Sequence, residues 1–260
     1  MREQATLVAF YGEKRDPLGA LIDELHEALG ELLGSAFTRY AREQVHATLV
    51  GLESTETDRR INLNLSKSSP TGESPPPMDL AGYLRQLREA TDLPFRVQFG
   101  GFRDRPYSFT SRSLRPFLRS FSLRGPFAVL VGWPWSDGAP PPTLDRIRRA
   151  AGVHHIQHQY HRAADDFDND LYMRLGSVDR ECIGESRARW VEDSIREWLA
   201  GQPPVSLSVG PKDLSVVSYA DPTLPWGSCR QIPLQDIDLE SELLAQLHPP
   251  DSSDHENADV

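Results

Sequence analysis

The chain has 260 residues, enough to bury a core without covalent staples, and its two cysteines, Cys182 and Cys229, imply no disulfide framework. With 38% hydrophobic and 25% charged residues and no apolar window of membrane-spanning length, a membrane protein is not expected; a reducing, cytoplasmic setting is. The net charge of −10 does not exclude an anionic ligand, because Pro233 to Val260 carries eight acids and no lysine or arginine, which leaves 30 acids against 28 bases in the body.

Taken in chain order, ATLVAFYG (Ala5 to Gly12) predicts a first strand. The next segment, DPLGALIDELHEALGELLG, places Leu18, Leu21, Ile22, Leu25, Leu29, Leu32 and Leu33 at helical spacing, with Pro17 tolerated in the first turn and Gly34 as a stop. EQVHATLVGLE (Glu43 to Glu53) predicts a second strand. The polar, proline-rich stretch after it predicts a long loop with a short edge strand at Ile61 to Leu65. Met78 to Leu93 is an amphipathic helix carrying Leu80, Tyr83, Leu84 and Leu87 on one face. FRVQFGGF alternates like a half-buried strand, PFAVLVGWPW is a fully apolar one, and TLDRIRRAAGVHHIQHQYH predicts a helix despite Gly152. DLYMRLGSVD reads as a strand, SRARWVEDSIREWLAG as a helix, and Val205 to Leu234 as one or two final strands. Residues 235–260 predict a disordered acidic tail. A split near Gly138 divides this order into two halves of similar content, an α+β duplication.

His46 and Thr48 sit two apart in the second predicted strand, so both side chains point to one face. At the corresponding place in the second half, Leu171 to Val178 reads LYMRLGSV. The HATL motif at His46 to Leu49, in this order of elements, resembles the 2H phosphoesterase superfamily, which includes RNA 2′,3′-cyclic phosphodiesterases and 2′-5′ RNA ligase-like proteins. The resemblance covers roughly Ala5 to Leu234. It implies two pseudo-symmetric lobes, each with an antiparallel sheet and helices, presenting a His-x-Thr/Ser strand to a central cleft. The second motif departs from that pattern: Leu175, Gly176 and Val178 keep the frame, but Tyr172 stands at the histidine place and Arg174 at the threonine place, and no other His-x-Ser/Thr occurs.

The resemblance implies a metal-independent phosphodiesterase of altered activity, acting on an RNA end or nucleotide phosphodiester with no cofactor. His46 would serve as base and Tyr172 as acid, with Thr48 and Arg174 gripping phosphate. Two alternatives stay open: a nucleotide- or RNA-binding protein that has lost turnover, and an interaction module using the acidic stretch QDIDLESELLAQL. A monomer is expected.

Three features have competing readings. His154, His158 and His161 would share one face of a helix and offer metal ligands, against a solvated polar face; His161 is also a candidate for the missing imidazole. Asp165 to Asp170 (DDFDND) resembles a calcium loop only in its acidity. The arginines from Arg103 to Arg124, interleaved with Phe102, Tyr107, Phe109, Phe117 and Phe121, would suit single-stranded nucleic acid, against a loop of arginines lying along apolar surface.

Overall fold

The computed structural model describes residues 3–58, 60–69 and 73–239. Its first elements are strand β1 (Gln4–Ala9), helix α1 (Leu18–Leu33), strands β2 (Phe37–Arg39) and β3 (Ala47–Gly51), helices α2 (Leu63–Ser68) and α3 (Leu80–Arg88), and strand β4 (Phe95–Phe99). Helix α4 (Pro116–Ser120), strands β5 (Phe121–Arg124) and β6 (Phe127–Pro134), and helix α5 (Thr143–Ala150) follow. The chain continues with β7 (Leu171–Val178), α6 (Arg180–Gly201), β8 (Val205–Val209), β9 (Leu214–Tyr219) and β10 (Arg230–Pro233). The architecture is α+β, as expected, and every strand pair is antiparallel.

The strand order is β10-β9-β1-β3-β7-β6-β4-β8, with β2 pairing β7 and β5 pairing β6. Along this path two halves of four strands meet at β3 and β7, with β2 and β5 added on the β7 side, and the pairing there narrows to Ala47 opposite Met173. The division at Gly138 is corrected: one half-sheet combines the first strands with β9 and β10 from the end of the chain, and the other takes β4 and β6 with β7 and β8. A single apolar cluster runs through both. On α1, Leu18, Leu21, Ile22, Leu25, Leu29 and Leu33 are buried in it, while Leu32 is only partly covered. Among the described residues, no helix is long and apolar enough to cross a membrane.

Four local expectations are overturned. Residues 61–65 are not an edge strand: the Asn62 side chain accepts from Leu65 N at 3.0 Å and caps α2. The helix expected through His161 ends at Ala150, passes through a 3-10 turn, and stops at His155, whose φ of 59° is left-handed. Helix α6 starts at Arg180 rather than Ser186, because Asp179 caps it by accepting from Glu181 N and Cys182 N. A non-helical Gly184 (φ 67°) near the expected start separates that added turn from the periodic stretch. The packed body also runs past Leu234: Ile237 is buried and Leu239 packs on the core, and Arg88 donates to the carbonyls of Leu234 and Ile237. The remainder of the expected tail, 240–260, lies outside the described residues.

Candidate functional site

The seam between the half-sheets sets the site. Ala47 faces Met173 across it, and both are fully buried. Counting outward from this single antiparallel pair, His46 comes on the side of Arg174 and Thr48 on the side of Tyr172. Burial alternates accordingly: the pair at the seam is covered and its four neighbours are partly exposed. His46, Thr48, Tyr172 and Arg174, expected from sequence alone, all line one cavity of ≈ 300 Å³.

His46 Nδ1 lies 2.6 Å from the Gln44 carbonyl oxygen. A carbonyl only accepts, so Nδ1 carries the hydrogen and Nε2 keeps its lone pair. Burial, helped by the positive charges of Arg174 and Lys14, pushes this imidazole down to about 4 despite the Gln44 contact. Tyr172 is shifted upward by burial, with Arg174 pulling the other way. Its ring packs on Phe102, Val129, Val131 and Trp133. Arg174 places its guanidinium 4.2 Å from the centre of the Phe127 ring and donates to the Pro222 carbonyl at 3.4 Å.

Several residues that sequence reasoning missed build the walls. Opposite β1, strand β3 carries a bulge: Val8 pairs Thr48 but Leu7 pairs Val50, which leaves Leu49 extra. Arg148 on α5 takes up the carbonyls there, donating from Nε to Leu49 O at 3.0 Å and from Nη2 to Thr48 O at 3.3 Å. The same guanidinium bonds Asp168 O and Asp170 O and lies 3.3 Å from the Asp168 carboxylate. It thus ties β3 to the segment that enters β7. Asp170 in turn holds Arg119 in a buried two-point pair at 2.9 and 3.1 Å. A signal existed for both: Arg148 falls in line with Leu144 and Ile147 on the apolar stripe of α5, and the acids of DDFDND alternate where β7 begins.

With Asp168 and Asp170 neutralising Arg148 and Arg119, three cations lining the cavity remain without an ion pair among the described residues: Lys67, Arg112 and Arg174. The site is therefore electropositive although the chain is acidic.

The histidine face is corrected. His154 contacts Asp79 and Gln86, His158 Nε2 lies 2.8 Å from Asp168, and His161 Nε2 lies 2.9 Å from Asp145, so the three turn to different acids. Among the described residues no three or more His, Cys, Asp or Glu side chains are grouped to hold a metal. His158, not His161, reaches the cavity wall. It is buried and pushed down to about 4 by desolvation and Arg148, against Asp168. The basic and aromatic stretch also divides internally. Phe102, Phe109, Trp133 and Trp135 stack edge to face on one another, Arg115 pairs with Asp104, and Arg112 covers the Tyr160 ring at 3.5 Å.

Two histidines held neutral make the fold sensitive to acid. The unfolded chain takes protons near pH 6.5, while the folded chain resists until about pH 4 at His46 and His158. Stability is therefore lost as pH falls through that window, by on the order of 3 kcal/mol per histidine at most. Glu53, whose carboxyl is raised by burial, works in the opposite sense. The midpoint of urea unfolding is expected to drop between pH 7 and pH 5, and His46→Gln is expected to remove part of that drop, the rest coming from His158 and from His26 and His161, which burial also shifts down. An unchanged slope in that variant would place the titrating group elsewhere.

No protein-family model matches the chain, and no curated protein does. Among solved structures, the crystal structure of TT0787 of Thermus thermophilus is similar at 12% identity, with a TM-score of 0.42, over 92% of this chain and 99% of that chain.

Proposed function

We propose that this protein binds and slowly hydrolyses a ribonucleotide phosphodiester, a 2′,3′-cyclic end or a 2′-5′ linkage, at a site of the 2H phosphoesterase kind with an altered second motif. The observation that carries the reading is the cross-strand quartet about Ala47 and Met173, which brings His46 to the side of Arg174 and Thr48 to the side of Tyr172 in one cavity. The unpaired cations around it suit a phosphate.

For a 2′,3′-cyclic phosphate, His46 Nε2 takes a proton from water as the water oxygen attacks phosphorus. The bond from phosphorus to one ribose oxygen breaks, its electron pair stays on that oxygen, and the Tyr172 hydroxyl delivers the proton. Arg174 stabilises both the phosphate oxygens and the phenolate left behind. Proton return from the imidazolium to the phenolate through solvent restores the site, and the product is a phosphomonoester.

A second reading, binding without turnover, is favoured by the proton affinities. An imidazole pushed to about 4 is a weak base, and a phenol shifted upward is a weak acid. Hydrolysis of a 2′,3′-cyclic-phosphate-ended oligoribonucleotide, with its binding recorded alongside, separates the two. Turnover in wild type that falls by about 10²–10⁴ in His46→Ala supports the hydrolase. Binding with no turnover supports the retired site, and neither would remove the phosphodiester reading.

A further inference from the structure

The cavity continues past the phosphate quartet along β3. The extra residue at Leu49 resets the alternation, so Gly51 and Glu53 join Thr48 on the cavity face. The Glu53 side chain folds back over Gly51, its Oε2 filling the space a Cβ there would need. Tyr219 donates its hydroxyl to Oε1 at 2.8 Å. Glu53 forms no ion pair among the described residues, although Lys67 lines the same cavity. Burial raises its carboxyl while its own backbone N–H, Tyr219 and Lys67 favour the charged form. A carboxylate here repels phosphate, so the part of a ligand that reaches it carries hydrogen-bond donors. Thr48 and Gly51 stand opposite Val8 and Thr6 of β1, so roughly 7 Å separates them along the sheet, a span within the reach of one nucleotide from its phosphate to the edge of its base.

We propose that Glu53, held by Tyr219 over Gly51, reads the base of the bound nucleotide and prefers one presenting two adjacent N–H donors, as guanine does through N1–H and its N2 amine. Oε2 and the remaining lone pair of Oε1 accept the two donors side by side. Uracil offers one N–H between two carbonyl oxygens, and those oxygens face the carboxylate unfavourably. Thr48 and Arg174 hold the phosphate while Glu53 sets which base fits, so this inference rests on the phosphodiester reading.

The test is binding of the four 2′,3′-cyclic nucleoside monophosphates to the full chain, wild type and variants, with thermal unfolding of each variant as a check on folding. Wild type is expected to favour the guanosine ligand over the uridine ligand by about tenfold or more. That ratio is expected to collapse in Glu53→Gln, which lacks the second acceptor, and to narrow in Tyr219→Phe, which releases the carboxylate. The preference should also weaken as the carboxylate is protonated at lower pH. Equal binding of all four ligands by wild type, or a ratio unchanged in Glu53→Gln, overturns the base-reading role. If that equal binding is still lost in His46→Ala and Arg174→Ala, the phosphodiester reading stands and this inference falls alone. Binding of none of the four overturns this inference and the 2′,3′-cyclic reading with it.

Discussion

Arg148→Met is expected to destabilise the fold by about 3–5 kcal/mol, the range for breaking a buried ion pair by removing one partner. In a chain of this size that corresponds to a fall of about 10 °C in Tm. Arg148 is 3% exposed, and its guanidinium serves four backbone carbonyls and one carboxylate. Methionine fills much of the space but donates nothing, so Asp168 loses its guanidinium and keeps only His158 beside it, and the bulge carbonyls at Thr48 and Leu49 are unsatisfied. Lysine keeps the charge but has one nitrogen, where arginine has a planar fork reaching several acceptors, so Arg148→Lys should recover only part of the loss. Urea unfolding of the three proteins at pH 7 measures this. A difference below about 1 kcal/mol between wild type and Arg148→Met would mean that the two half-sheets are held by their apolar core alone.

Tyr172→His is expected to raise hydrolysis of a 2′,3′-cyclic phosphate by about 10²-fold, the lower end of what a well-matched acid–base group contributes. The place follows from the one pair Ala47–Met173: counted outward from it, residue 172 comes on the Thr48 side and residue 174 on the His46 side, and all four line one cavity, so a new imidazole at 172 would enter the cleft. The pH profile should carry a signature. The acid must hold its proton and the base must not, so activity rises through the His46 value near 4 and falls as the new imidazole deprotonates. Arg174, adjacent on the same face, lowers that second value, which puts the optimum on the acid side of about 6.5. Wild type should show no such alkaline limb below about pH 7, since Tyr172 is held above its usual range. Unchanged turnover in Tyr172→His would mean that residue 172 does not face the leaving oxygen.

Much of the fold was legible because its main elements have local signatures. The apolar stripe of α1, the alternation of β7 and the unbroken apolar run of β6 each declare their type within a dozen residues. The failures came where one hydrogen bond or one dihedral decided the outcome. Asn62 turned an apparent strand into α2, and the left-handed His155 ended a helix that composition would have continued. The short strands β2 and β5 have too few residues to show a period.

The sequence by itself determined the four residues of the quartet, since strand alternation pairs His46 with Thr48 and Tyr172 with Arg174 whatever surrounds them. It also determined that His46-Ala47-Thr48 is the one His-x-Ser/Thr in the chain. Only the tertiary structure decided that the two strands meet at Ala47 and Met173, that the bulge at Leu49 brings Glu53 onto the same wall, and that Arg148, Asp168 and Asp170 brace the seam. The reason is physical. Alternation is a property of one strand, whereas register, bulge and buried charge depend on partners distant in the chain, whose positions are fixed by the packing of the whole core.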